Sequence, residues 1–91
     1  MALSKLQQKQ LRSQAHHLKP VVQLGQKGLT DAVLDEINTA LTAHELIKVS
    51  ISGSDKSNRR DISEQICQAS GADLVQMIGL ISILYRPAPE E

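Results

Sequence analysis

The chain has 91 residues, and 41% of them are hydrophobic, which is enough to build one folded core. We expect a single domain over residues 1–87 and a disordered tail at 88–91. No apolar run approaches the ~18 residues of a membrane span, and the N-terminus lacks the apolar region of a secretion signal. The one cysteine, Cys67, cannot form an internal disulfide, so we expect a protein of the reducing cytoplasm.

The net charge of zero hides a separation of the two signs along the chain. Residues 1–30 contain five bases and no acid, whereas residues 31–91 contain ten acids and five bases. This pattern predicts a basic face for an anionic partner, although a solvated helix that is merely basic would also produce it. The five bases of the first part are Lys5, Lys9, Arg12, Lys19 and Lys27.

The first helix is predicted to begin after Ser4, because Ser4 and Gln7 have the spacing of a capping box. It should end near His17, since Pro20 disfavours helical geometry in the residue before it. The β-branched run at 21–24 then predicts a short strand.

A second helix should follow a glycine-containing loop, with Thr30 as its N-cap and an apolar stripe over 33–41. His44 and Glu45 close this helix. The alternation of apolar and polar residues at 47–51 is typical of a half-buried strand.

A third helix should start between Asp55 and Arg60 and end at Gly71. Its predicted inward-facing residues are Ile62, Ile66 and Ala69. The runs 74–78 and 80–85 predict two antiparallel strands around Gly79. The resulting order, α-β-α-β-α-β-β, indicates a compact α/β layer fold with a mixed four-stranded sheet.

The loop Gly25-Gln26-Lys27-Gly28 is the strongest local signal for function. Glycine allows positive φ and the close approach of another backbone, and Lys27 adds a mobile positive charge. The start of the next helix offers free N–H groups and a partial positive charge, which suits phosphate. A plain tight turn is the alternative, but the basic first segment favours an anion site.

Arg59 and Arg60 are a second candidate contact for phosphate. In the first turn of helix three they would oppose the helix dipole by roughly 0.3–1 kcal/mol each. A local rule broken without visible compensation often marks a functional site. The alternatives are that the helix begins one turn earlier or that the pair is solvated.

No catalytic or metal site is predicted. The three histidines lack a metal-binding pattern, and Cys67 is interpreted as a buried structural thiol. GxGxxG, Walker, HExxH and GxSxG motifs are missing, so we expect a non-enzymatic protein without a cofactor.

Arg86 could reach phosphate or pair with an acid. Tyr85 is the one aromatic residue, so an RNA partner would be held mainly through its backbone.

Three blocks of the sequence resemble the CRM domain family in its stand-alone bacterial, YhbY-like form. The first covers residues 15–30, from Ala15-His16 through Lys19-Pro20 and Gly25-x-x-Gly28 to Leu29-Thr30. The others are His44-Glu45-Leu46-Ile47-Lys48-Val49 and Leu84-Tyr85-Arg86-Pro87. The resemblance extends over about residues 3–87. After the last glycine, where the family often has a lysine, this chain has Leu80.

The resemblance implies RNA binding through the glycine loop and a fold similar to the C-terminal domain of translation initiation factor three. It also implies association with ribosomal RNA of the large-subunit precursor during ribosome assembly. The expected contacts are Gly25, Gln26, Lys27, Gly28, Lys5, Lys9, Arg12 and Lys19, with Arg59 and Arg60 added on physical grounds. A monomer without a membrane partner is expected. The alternative is an assembly module whose basic helix docks on an acidic ribosomal or RNA-processing protein.

Overall fold

The computed structural model describes residues 3–25, 27–53 and 55–87. Its elements have the order that the sequence predicted. They are α1 (Lys5–Ala15), β1 (Pro20–Leu24), α2 (Asp31–His44), β2 (Leu46–Ile51), α3 (Lys56–Ser70), β3 (Asp73–Ile78) and β4 (Ile81–Tyr85). Gln26 of the glycine loop and the expected tail at 88–91 lie outside the described residues. None of the described helices is long and apolar enough to cross a bilayer.

Side-chain caps set where the helices begin. In α1 the Ser4 hydroxyl accepts a hydrogen bond from the Gln7 N–H at 3.1 Å, and the Gln7 side chain accepts from the Ser4 N–H at 3.0 Å. This reciprocal pair confirms the predicted capping box. Thr30 caps α2 as predicted, and Asp55 caps α3 through a 2.8 Å bond from the Asn58 N–H.

The four strands form one mixed sheet in the order β1-β2-β4-β3. β1 is parallel to β2, and β4 is antiparallel to both β2 and β3. The crossover through α2 therefore joins neighbouring strands. The crossover through α3 joins β2 and β3, which are separated by the last strand of the chain.

The sheet divides the core into two clusters, because alternate side chains of each strand face opposite sides. Leu84 of β4 packs with α2 and α3, in a cluster that includes Ile37 and Ile66. Its neighbour Ile83 faces α1 and packs with Leu11 and other residues. The molecule thus has three layers, with α1 on one face of the sheet and α2 and α3 on the other.

One predicted inward position of α3 is wrong, because Ala69 is exposed. The buried positions next to the sheet are held by Ser63 and Ser70, which apolar periodicity does not detect. The Ser63 hydroxyl donates to the Arg59 carbonyl at 2.8 Å, so Ser82 of β4 is the donor in their 2.6 Å bond. These small hydroxyls satisfy each other, which allows them to lie in the core.

The end of β4 is joined to both helices of the α2–α3 layer by Arg86. Its guanidinium donates to the side chain and carbonyl of Asn38 at 2.8 and 3.1 Å, to the Thr42 hydroxyl at 3.0 Å and to the Ser70 carbonyl at 2.7 Å. Its backbone N–H donates to the Glu45 carbonyl at 2.9 Å. These partners are neutral groups of the protein. Among the described residues, Arg86 therefore serves to join elements of the fold and forms no ion pair with an acid.

We expect Arg86→Lys to lower the free energy of unfolding by about 2 kcal/mol or more, because lysine lacks the forked donors and charged hydrogen bonds contribute roughly 1.5–3 kcal/mol. The thermal midpoint should fall by about 8–16 °C for a domain of this size. Arg60→Lys is the matched control, since Arg60 is exposed and its pair with Glu64 is a surface ion pair. Equal midpoints for the two variants would contradict the structural role of Arg86.

Candidate nucleic-acid interface

Three loops meet at one end of the sheet, where β1 and β2 finish and β3 turns into β4. The Ser52 N–H and hydroxyl donate to the Leu24 carbonyl at 3.0 and 3.1 Å. The Ile51 N–H donates to the Leu80 carbonyl at 2.8 Å. The glycine loop after β1, the loop after β2 and the β3–β4 turn are therefore adjacent.

The glycine loop is closed by its own backbone and is open to its surroundings. The Gly28 N–H donates to the Gly25 carbonyl at 3.0 Å, and Gly28 has a φ of 69°, where glycine is favoured. Apart from adjoining residues, no described atom lies within 4 Å of where a Cβ on either glycine would stand. Lys27 between them is exposed. Another backbone can therefore approach this loop closely.

The start of α2 is less available to an anion than the sequence predicted. Leu29 and Thr30 separate Gly28 from the helix, and the Thr30 hydroxyl already accepts the Val33 N–H at 3.2 Å. Asp31 places a carboxylate in the first turn. These features stabilise the helix but reduce the positive field that a phosphate would meet. The loop and Lys27 are the stronger part of the site.

A basic groove lies between α1 and the sheet. Lys9 and Arg12 of α1 line it on one side and Lys48 of β2 on the other, with no acid among its described lining residues. The remaining lining residues are Ser13, His16, His17, Gln76, Ile78 and Ile83. Lys5 lies four residues before Lys9, so it belongs to the same stripe of α1. We call these side chains and the surface between them the basic groove.

Lys48 was missed as a site residue, because the sequence marked it only as a polar position of a strand. The signal was present in the alternation of β2. Ile47 and Val49 are buried against α2 and α3, which places Lys48 on the α1 face. Which helix covers that face is decided by tertiary packing.

The other predicted contacts lie elsewhere. Lys19 lines a depression with Leu18, Val21 and His44, near the beginning of β2 and away from the glycine loop. Arg59 and Arg60 belong to α3, on the opposite face of the sheet from α1. They are the fourth and fifth residues of α3, whose Asp55 cap offsets their unfavourable position at the dipole. Arg60 pairs with Glu64 at 3.5 Å.

Cys67 has the properties of a structural thiol. It is partly buried and packs against the core under α3. Burial raises its pKa to about 11, and the negative charges of Asp73 and Glu64 act in the same direction. The thiol is therefore protonated at neutral pH. In the described part of the chain, no three His, Cys, Asp or Glu side chains are placed to hold a metal ion.

Known proteins are similar to this chain in sequence, and a solved structure is similar to it in fold. The family model of the CRS1 / YhbY (CRM) domain matches residues 3–86. A probable RNA-binding protein of Pseudomonas aeruginosa is 44% identical over 90 residues, which cover 99% of this chain and 86% of that protein. An RNA-binding protein of Haemophilus influenzae is 49% identical over 88 residues, covering 97% and 89%. The solution structure of a hypothetical protein from Staphylococcus aureus, 31% identical, superimposes with a TM-score of 0.86 over 98% of this chain and 93% of that one.

Proposed function

Because the chain belongs to the CRS1 / YhbY (CRM) domain family, we propose that it is a non-enzymatic RNA-binding protein that holds RNA backbone with its glycine loop. The observation that carries this proposal is the open loop at residues 25–28, with Lys27 exposed and room for another backbone. Loop amides and Lys27 contact phosphate, and the basic stripe of α1 adds attraction. Lys19, Arg59 and Arg60 lie outside this site and contribute only long-range attraction.

The distribution of charge between the two helical layers supports an anionic partner on the α1 side. α1 contains Lys5, Lys9 and Arg12 and no acid. α2, on the opposite face of the sheet, contains Asp31, Asp35 and Glu36 and no lysine or arginine. α3, which shares that face with α2, carries Lys56, Arg59 and Arg60 against Asp61 and Glu64. A polyanion is therefore attracted to α1 and repelled from α2, which orients its approach.

The apolar surface of α1 gives little support to the alternative of a protein partner. Leu11 and Ala15 are buried against the sheet, and Leu6 alone among the described leucines of this helix is strongly exposed. A single exposed leucine is normal for a protein surface, whereas a docking helix needs a continuous stripe.

We propose ribosomal RNA of the large-subunit precursor as the target. Tyr85, which is the one Phe, Trp or Tyr of the chain, is half-buried and packs against the α1 cluster, so it is poorly placed to stack on bases. A binder that grips mainly phosphates suits a large structured RNA that presents many of them in fixed positions. The resemblance to stand-alone YhbY-like proteins implies this ribosomal RNA as the target and a role in ribosome assembly.

Gly28→Asp should weaken RNA binding by about tenfold or more relative to Gly28→Asn, since the two side chains differ mainly in charge and one phosphate contact at low salt has this magnitude. Both residues tolerate positive φ and have open space at this position, so both variants should fold. Filter binding measures the affinity, and circular dichroism verifies the fold. Equal affinities in two folded variants would remove the loop from the site.

RNA binding should depend strongly on salt. Four to five phosphate contacts give a slope of about −3 in a plot of log affinity against log salt, or roughly a hundredfold loss between 50 and 200 mM. Fluorescence anisotropy with one RNA over that range measures the slope. A slope near zero would be incompatible with an electrostatic clamp and would favour a protein partner.

In cell extracts at low salt, the protein should sediment with immature large subunits and less with mature ribosomes. The double variant Lys27→Glu, Gly28→Asp should move to the top of the sucrose gradient, because it repels the phosphate at both loop positions. The neutral pair Lys27→Gln, Gly28→Asn is the control and should move less. If the wild type itself stays among free proteins, the assembly role is wrong, although RNA binding elsewhere would survive.

A further inference from the structure

α1 covers only part of its face of the sheet. It packs on Leu46 of β2 and Val75 of β3, near the end of the sheet opposite the glycine loop. The next row towards the loop contains Lys48, paired with Ile83. Beyond it, a row crosses all four strands and is mostly left uncovered by α1, because Gln23 and Ile78 are exposed and Ile81 is only partly buried against the α1 cluster. Strand register places Gln23, Ser50, Ile81 and Ile78 in this last row.

The basic groove is the boundary between α1 and this uncovered surface. Its helix side carries Lys9 and Arg12. Its floor is the sheet, where strand register makes Lys48, Ile83 and Gln76 neighbours in one row, and where Ile78 adds an apolar surface that is 55% exposed. Cations on the helix and on Lys48, beside the neutral Gln76 and Ile78, match a strand that presents both phosphates and bases.

None of the three cations of the groove forms an ion pair with a described residue, and no acid is among the described residues that line it. Like charges gathered without an acid repel one another, and a bound polyanion relieves that repulsion. The backbone of Lys48 is held in the sheet between β1 and β4, whereas Lys27 lies in a loop.

We propose that the basic groove is a second RNA subsite, specific for a single-stranded segment, in which Lys48 contacts phosphate and Gln76 and Ile78 contact a base or ribose. This inference rests on the proposed function and adds the class of RNA and the residues that select it. In a duplex the bases are paired and stacked inside, so they cannot reach the floor of the groove. An unpaired strand can place phosphates against the cations and a base against Gln76 and Ile78.

The subsite is continuous with the glycine loop. Gln23 of the uncovered row is followed by Leu24 and then Gly25, and Ser50 lies beside Gln23 in the register of β1 and β2. A single strand that leaves the groove can therefore cross the uncovered row and reach the loop. Two linked contacts on one strand strengthen binding beyond either alone, because the second forms at high effective concentration.

The test compares Lys48→Gln with Lys56→Gln, which removes the same charge from an exposed position of α3, on the opposite face of the sheet from the groove. The probes are a labelled 12-nucleotide RNA that cannot pair with itself and a 12-base-pair RNA duplex, each titrated by fluorescence anisotropy at 50 mM salt. Lys48→Gln should weaken single-strand binding about five- to tenfold, the value of one phosphate contact at this salt. Its effect on the duplex, and both effects of Lys56→Gln, should stay below about twofold.

Gln76→Ala tests the floor without changing charge and should likewise weaken only single-strand binding. Gly28→Asp should weaken binding of both RNAs, which separates the loop from the groove. Equal effects of Lys48→Gln and Lys56→Gln, or an equal loss for single strand and duplex with Lys48→Gln, would overturn the subsite while leaving the proposed function intact. A wild type that binds neither RNA would overturn both.

Discussion

The insertion of β4 between β2 and β3 is the constraint on which the rest of the structure depends. This strand pairs with both neighbours, and its alternating side chains enter the core on each face. Leu84 and Ser82 face α2 and α3, whereas Ile83 faces α1. β4 therefore completes both cores, and Arg86 then joins the strand end to α2 and α3. Pairing of this kind is non-local, so the sheet is finished only when the C-terminal segment is in place.

The direction of β4 also gathers the functional loops. Because β4 is antiparallel to β2 and β3, the turn before it lies at the end of the sheet where β1 and β2 finish. The glycine loop thus lies beside two other exposed connections. All three are attached to strands whose inward-facing side chains are buried in the core. A backbone-binding loop benefits from such a frame, since loop amides act on phosphate only when their orientation is maintained.

The short length of α1 leaves part of its face of the sheet open. Its 11 residues cover the row of Leu46 and Val75 and leave the row nearest the loop open. A helix that packs on a sheet usually serves only to bury apolar side chains. Here the exposed stripe of α1 and the uncovered strands also form the two sides of a basic groove. Acids collect on α2, beyond the sheet, so the two layers differ in sign and the molecule has one side suited to RNA.

The sequence by itself determined the order of the elements, the caps at Ser4 and Thr30, the turn at Gly28 and the excess of bases in α1, because each depends on residues close together in the chain. Tertiary structure alone decided the rest. Ala69 proved exposed because serines occupy the inner positions of α3. Arg86 donates a hydrogen bond to Asn38, 48 residues earlier in the chain. The side chain of Lys48 faces α1 rather than α2. Such relations depend on which elements pack together, and no local pattern records which partner an exposed or half-buried charge will meet.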